Sequence, residues 1–195
     1  YSEEELANFR KGIGTTNWYD ETIKKSAPQT YHNISISGGA EKVKYYFSFG
    51  LLRQEGILKS NDWYYNKFNI RSNVSATITK GLTIGLQLSG RLDKRTKPYE
   101  TDPITRGIQL ALPVKTIYAN NNSEYWNNPG DKGNPVQLSR IGEVGYSRRD
   151  RRVFNGSVTI DWDMPWIKGL TAKALFSYDF NNVKNRNWYK EFHEY

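Results

Sequence analysis

Apolar and polar residues alternate along this chain with a period of two, over segments longer than most globular strands. From Leu82 one parity reads Leu82, Ile84, Leu86 and Leu88, and the other Thr83, Gly85, Gln87, Ser89 and Arg91. From Leu170 one parity holds Leu170, Ala172, Ala174, Phe176, Tyr178 and Phe180, against Thr171, Lys173, Leu175, Ser177, Asp179 and Asn181. Phe68, Ile70, Val74, Ala76 and Ile78 alternate with Asn69, Arg71, Asn73, Ser75 and Thr77. Three further segments do the same: Val43 to Leu51, Phe154 to Trp162, and a shorter one around Ile34 and Ile36. Strict alternation predicts strands with one apolar and one polar face, six of them.

The connections alternate in length. Gly38 to Lys42, Lys80-Gly81 and Asp163 to Gly169 are short and rich in turn residues, as hairpins require. Between them lie a longer loop from Gln54 to Trp63 and a very long one from Asp93 to Arg152. A structureless loop of that length is out of place in a compact soluble domain. Segments of ~10 alternating residues, with short turns at one end and long loops at the other, are the signature of a transmembrane β-barrel. A soluble β-sandwich, for instance a carbohydrate-binding module, also alternates, but its strands run ~5–6 residues. Phe68 to Thr79 and Leu170 to Asn181 run about twice that.

The expected fold is therefore all-β, an antiparallel transmembrane β-barrel segment with short periplasmic turns and long extracellular loops. Residues 1–29 read as an extracellular loop and 30–92 as the first four strands. Residues 93–152 read as a long extracellular loop carrying a short helix, 153–181 as strands five and six, and 182–195 as the start of the next loop. On this reading Leu82, Ile84, Leu86, Leu88, Val158, Ile160 and Phe176 face lipid. Asn69, Arg71, Asn73, Gln87, Arg91, Lys173 and Asp179 face the lumen.

Composition changes the picture in three places. Mean hydropathy is −0.77, and no run approaches the ~18 apolar residues of a spanning helix. That leaves spanning by strands open, because alternation puts every second residue into water. Aromatics reach 14%, too many for a disordered chain, and Tyr45, Phe47 and Phe49, then Trp63, Tyr64, Tyr65 and Phe68, and Trp162, Trp166, Phe176, Tyr178 and Phe180 read as lying toward strand ends, as in interfacial girdles. The 195 residues contain no Cys, which removes disulfides, cysteine–zinc sites and thiol catalysis. The chain opens at Tyr1 with neither Met nor a signal-peptide pattern and is read as a piece of a longer protein.

Enzyme chemistry finds little support. The two histidines, His32 and His193, are far apart, and no HExxH, GxSxG, P-loop or CxxC spacing occurs. Gly12-Ile13-Gly14 follows no strand, which argues against a dinucleotide site. Asp161 and Asp163 could be imagined as a glycosidase pair but read more simply as lumen or turn groups. No catalytic residue, metal or cofactor is expected.

Binding chemistry has two candidates. The formal charge of +8 includes the run Arg148-Arg149-Asp150-Arg151-Arg152, leading into strand five. At the rim of an outer-membrane protein it would suit anionic lipopolysaccharide heads or an anionic substrate, or it is a solvated stretch with incidental ion pairs. In the long loop, Tyr118, Tyr125 and Trp126 stand among Asn120, Asn121, Asn122, Asn127 and Asn128. Aromatic faces beside amide donors suit sugar rings, and the same residues also suit ordinary loop packing. Thr101 to Leu112 reads as a short helix with Pro103 in its first turn and Pro113 ending it. The Asn-x-Ser sequons at Asn33, Asn73, Asn121 and Asn155 read as chance products of an Asn/Ser-rich face.

Several words in the chain resemble the SusC/RagA-type TonB-dependent transporters. They are Asn17-Trp18-Tyr19-Asp20-Glu21, Ser26-Ala27-Pro28 and His32 to Gly39, then Tyr45 to Gly50, Arg53 to Ile57, Phe68 to Asn73 and Trp166 to Leu170. The resemblance covers most of the chain outside the Asp93-to-Arg152 loop. It implies a barrel of about twenty-two strands in the Gram-negative outer membrane, importing glycans or peptides. It further implies a SusD-like surface lipoprotein as partner and energy from TonB, through a plug that would precede Tyr1. Oligosaccharide or peptide substrate and outer-membrane lipid are the expected contacts, and nucleic acid is not. A non-transporting adhesin-type barrel is a third possibility, which a plug upstream would exclude.

Overall fold

A computed structural model describes residues 1–195. Six strands, β1 (Gln29–Ala40), β2 (Val43–Glu55), β3 (Tyr64–Thr79), β4 (Leu82–Pro98), β5 (Gly145–Asp163) and β6 (Thr171–Tyr189), form one antiparallel meander in chain order. The sheet is a single layer whose two outer strands each keep an unpaired edge. A β-sandwich would need a second sheet against the apolar face, and none is present: Ile34, Ile70 and Phe176 stay exposed, Phe176 by 71%. The sandwich alternative is therefore set aside.

The strands are longer than their hydrophobic alternation. β4 continues past Arg91 to Pro98, and β5 already begins at Gly145, where Pro98 pairs with Tyr146. β6 likewise runs on to Tyr189, so the connection between β4 and β5 is residues 99–144 instead of 93–152. The extra rows carry polar residues on both faces, so backbone pairing continues where side-chain contrast has ended. The expected helix is observed as Asp102–Leu110 with Pro103 in its first turn, but Thr101 makes no side-chain cap.

Turns and caps follow local chemistry. Lys80-Gly81 joins β3 to β4, and Gly81 takes φ +82°, a left-handed conformation most side chains disfavour. Gly145 opens β5 at φ +86°, and a Cβ there would collide with the Trp188 carbonyl. One register shift falls between Thr77 and Thr79, next to the Lys80-Gly81 turn.

The buried core lies outside the sheet, in a lobe at the long-loop end. Four helices contribute, α2 (Trp18–Thr22), α3 (Asp102–Leu110), α4 (Pro135–Leu138) and α5 (Ile141–Val144), while the N-terminal α1 (Glu3–Arg10) buries no residue. Leu58, Ile104, Leu138 and Val144 form one cluster, with Ile23, Trp63, Ile108 and Phe192 packed on it. Trp18, Trp126 and Val136 form a second. Four chain segments are thereby tied together. Ile23 bridges to Leu58, Trp18 Nε1 donates to the Leu112 carbonyl (3.0 Å), and the Ile141 amide donates to Asp62 Oδ2 (3.0 Å). The tail joins through Asn128 N to Tyr195 O and Tyr195 N to Trp126 O, both 2.8 Å.

Asn134 is the hub of this lobe. It is fully buried, and its Nδ2 donates to the carbonyls of Ile117 (2.8 Å) and Asn127 (2.9 Å). Its Oδ1 caps α4 by accepting from the Val136 amide (3.1 Å), while its own amide donates to Glu194 Oε1 (2.6 Å). Burial pushes the Glu194 carboxyl up from its ordinary value, against the lowering effect of that hydrogen bond.

Two outcomes follow. Asn134→Ala leaves two carbonyls and the α4 cap unpaired, costing roughly 2–4 kcal/mol of lobe stability. Hydrogen exchange should accelerate in residues 116–127 and 190–195, while the β2–β3–β4 amides stay protected. Unchanged exchange in the lobe would remove Asn134 from this role. For Glu194 the folded state favours the neutral acid, so tail docking is strongest below the ordinary carboxylate range and weakens as pH rises through the raised value. Amide protection of residues 190–195 should fall over that window, and Glu194→Gln, which keeps the acceptor, should flatten the dependence.

Candidate functional site: the two faces of the sheet

Antiparallel pairing sets residues opposite one another on a common face, so register sorts the side chains. One row reads Ile34, Phe49, Ile70, Gly90, Phe154 and Phe180 across all six strands. Two residues nearer the short turns, the rows are Ile36, Phe47, Ser72, Leu88, Gly156, Tyr178 and then Gly38, Tyr45, Val74, Leu86, Val158, Phe176. The next is Ala40, Val43, Ala76, Ile84, Ile160, Ala174, followed by Leu82, Trp162 and Ala172. Trp162 stacks edge-on against Trp166 of the turn at 5.2 Å. These rows make one continuous apolar belt holding all seven residues expected on that face: Leu82, Ile84, Leu86, Leu88, Val158, Ile160 and Phe176. The belt runs from Leu82 to Leu92 in β4, within the ~9–11 residues a tilted strand needs to cross a bilayer. In the Leu92 row only Leu51, Phe68 and Leu92 remain apolar, beside His32, Arg152 and Asn182, and the next row of Thr30, Arg53, Asn66, Lys94, Asp150 and Lys184 is polar in every strand.

The opposite face is mainly polar, with Leu52, Val153, Leu175 and Val183 as apolar exceptions. Its rows include Ser35, Ser48, Arg71, Ser89, Asn155, Asp179 and Ser37, Tyr46, Asn73, Gln87, Ser157, Ser177. Asn69 and Arg91 pair in the row above, and Lys173 pairs with Asp161 near the turns, so the seven predicted lumen residues share this face. It is also the hollow side of the sheet, with a groove floored by Asn33, Tyr46, Lys67, Asn69, Arg71 and Arg91.

Polar partners organise this wall. Tyr65 OH donates to Asp93 Oδ1 (2.9 Å), and Arg91 Nε lies 3.1 Å from Asp93 Oδ2, an ion pair without hydrogen-bond alignment. Arg151 Nε donates to Asn181 Oδ1 (3.2 Å), and Asn155 Nδ2 donates to Asp179. Asn33, Asn73 and Asn155, the sequon asparagines within strands, all lie on this face. Asp161 sits 3.4 Å from Lys173 Nζ, and Asp163 accepts from Thr171 Oγ1 (2.8 Å), so each carboxylate of the imagined glycosidase pair has its own partner. No three His, Cys, Asp or Glu residues converge as a metal site.

The basic run divides between the faces. Its residues lie inside β5, paired with β4 and β6, not in the loop leading to it. Arg149 and Arg151 point to the polar face with Arg95 and Asp93. Arg148, Asp150 and Arg152 point to the belt face, where Lys94, Lys184 and Arg186 stand beside them. These last three cations were missed in the sequence, because only the register joins them to the run.

The loop aromatics separate as well. Trp126 is 7% exposed, stacked on Tyr118 at 4.8 Å with the Arg140 guanidinium 5.1 Å from its ring. It is lobe core, and Tyr118 is its half-buried partner. Tyr125 is exposed and meets Tyr195 edge-on at 5.0 Å. Asn120 and Asn121 take φ of 51° and 57°, left-handed positions that asparagine tolerates, which gives those amides a backbone reason to be there.

No protein-family model matches the chain. Among curated proteins it is 25% identical over 183 residues to the TonB-dependent receptor SusC of Bacteroides thetaiotaomicron, covering 84% of this chain and 18% of that protein. It is 22% identical over 164 residues to the TonB-dependent receptor P39 of Formosa agariphila, covering 84% of this chain and 15% of that protein. The chain therefore spans less than a fifth of the relatives it matches. Among solved structures, the RagAB peptide importer in its 'closed-closed' state matches with a TM-score of 0.64 at 23% identity, over 88% of this chain and 19% of that one. Its 'open-open' state gives 0.60 at 26% identity with the same coverage. The antiparallel meander with an apolar belt on one face is thus similar, over most of its length, to a β-barrel segment of the SusC/RagA-type TonB-dependent transporters.

Proposed function

We propose that this chain forms part of the wall of an outer-membrane importer, its belt against lipid and its polar face toward the lumen. The observation that carries the reading is the unbroken belt, apolar in every strand and wide enough for a bilayer core. The same face stays uncovered by any other part of the chain, as a lipid-facing surface must. The two unpaired sheet edges are where further strands of a closed barrel join, since lipid leaves no backbone group unsatisfied. The short turns then lie in the periplasm and the lobe outside the cell.

Import of a glycan or a peptide, with a SusD-like lipoprotein over the lobe and energy from TonB through a plug, is the activity that fits this placement. Support comes from the similarity to SusC and to a peptide importer. Within the lobe, Tyr125 is the aromatic free to meet a substrate or the lipoprotein, while Tyr118 and Trp126 hold it in place. Asn69, Arg71, Asn73, Gln87 and Arg91 present amide and guanidinium donors to the lumen. The wall binds and guides, and no residue in it is arranged to do covalent chemistry.

Neighbouring residues test the assignment of faces. Leu86→Arg places a charge in the middle of the belt, at a cost of ~2–4 kcal/mol, while Gln87→Arg places it in water. In the full-length protein, Leu86→Arg should sharply reduce folded, heat-modifiable barrel in outer-membrane fractions, with Gln87→Arg close to wild type. Equal amounts of the two folded variants would refute the assignment.

A further inference from the structure

We propose that the cations on the belt face around Asp150 bind the phosphate of an outer-leaflet lipid headgroup. The inference rests on the membrane placement proposed above and adds a ligand to the outer surface of the barrel.

The register builds the site. Asp150 has Lys94 opposite on β4 and Lys184 opposite on β6, with Arg148 and Arg152 two residues away along its own strand. Arg186, paired opposite Arg148, completes five cations around one carboxylate. Neighbouring strands lie ~4.8 Å apart, and alternate residues along a strand ~6.8 Å, so these long side chains can converge on one anion. Asp150 is engaged by Arg186 alone, at 3.0 Å. Lys94, Arg148, Arg152 and Lys184 take part in none of the chain's ion pairs. Arg148 lies 4.1 Å from the Tyr146 ring, and its Nε is shielded from solvent without a hydrogen-bond partner.

Position selects the ligand. The cluster starts one row beyond Phe154 and Phe180, at the upper limit of the belt and on the same face. Tyr146 and Trp188, 5.8 Å apart, lie just beyond it, where amphipathic rings favour headgroups. A group held there has its acyl chains along the belt and its charge level with the cations. Four unpaired cations side by side repel one another, and a phosphate relieves that repulsion while accepting several charge-assisted hydrogen bonds. A soluble anion would gain the charge contacts but nothing from the belt.

The test uses the full-length protein in neutral detergent, with bound lipid followed by native mass spectrometry. Bisphosphorylated lipid A is the probe, set against dephosphorylated lipid A and inorganic phosphate. Wild type should retain lipid A in preference to both. The triple variant Lys94→Gln, Arg152→Gln, Lys184→Gln should bind it at least about tenfold more weakly. Arg149→Gln with Arg151→Gln, on the same strand but the other face, should bind it as wild type does. Equal binding by the triple variant, equal binding of dephosphorylated lipid, or capture of inorganic phosphate as tight as that of lipid A would each overturn the proposal. Heat-modifiable migration of the same samples separates the two levels. A folded barrel without phosphate preference sinks this inference alone, while a protein that stays monomeric without detergent sinks the membrane reading beneath it.

Discussion

Each of the five ladders in the sheet passes the parity of one strand to the next, and everything else about the molecule depends on that transmission. In a pleated strand, successive side chains leave on opposite sides, so a slip of one residue would move Leu86, Val158 and Phe176 to the polar face and Gln87 into the belt. Long uninterrupted register guards against this: β5 and β6 pair from Gly145–Tyr189 to Asp163–Thr171 without a shift. The one irregularity, between Thr77 and Thr79, falls beside the turn, where few rows remain to be misdirected. Backbone hydrogen bonding is thus what makes a face, and the side chains decide which solvent that face can tolerate.

The lobe answers a different demand. Loops entering from three places in the chain, together with the tail, must hold a fixed shape with few apolar residues to bury. They do so with two small clusters and a set of buried polar links, of which Asn134 is the busiest. Its side chain serves two carbonyls and the cap of its own helix while its backbone N–H holds Glu194, so Ile117, Asn127 and Glu194 meet at one point, and the low local dielectric makes each of those bonds costly to lose. The lobe is tied to the rest of the chain mainly at strand ends, through the Leu58 segment and through α5 beside β4 and β5. The sheet can therefore keep its register while the lobe loosens.

Legibility in the sequence follows the same division. Where one face is apolar, as from Leu82 to Leu88, alternation alone names the strand and sorts its residues. Beyond Arg91 the residues Asp93, Lys94, Arg95, Thr96 and Lys97 are polar on both sides, and the pattern that marked the strand vanishes although the hydrogen bonds continue. The loop aromatics were ambiguous for another reason: a Trp among asparagines looks the same whether it awaits a sugar or is packed under Tyr118. Leu58, Ile104, Leu138 and Val144 are isolated apolar residues in separate loops, with no periodicity to join them. Asn134 did carry a local signal, since Asn followed by Pro is a helix start, but its contacts to Ile117, Asn127 and Glu194 are purely tertiary.

Charge shows most plainly why faces come before composition. A net charge of +8 with five consecutive residues, four of them Arg, looks like one basic patch, the kind that meets a polyanion. In a helix or a flexible tail it could act as one. In β5 the pleat cuts it in two. Arg149 and Arg151 join Arg95 on the hollow side, where Asp93 and Asn181 temper them, and Arg148 and Arg152 join Lys94 and Lys184 on the side that carries the belt. The two halves are separated by the thickness of a single strand, yet they stand on opposite faces with different neighbours. A substitution in this run is therefore interpretable only by its parity: odd numbers alter the polar, hollow face of the sheet, and even numbers alter the face that carries the belt.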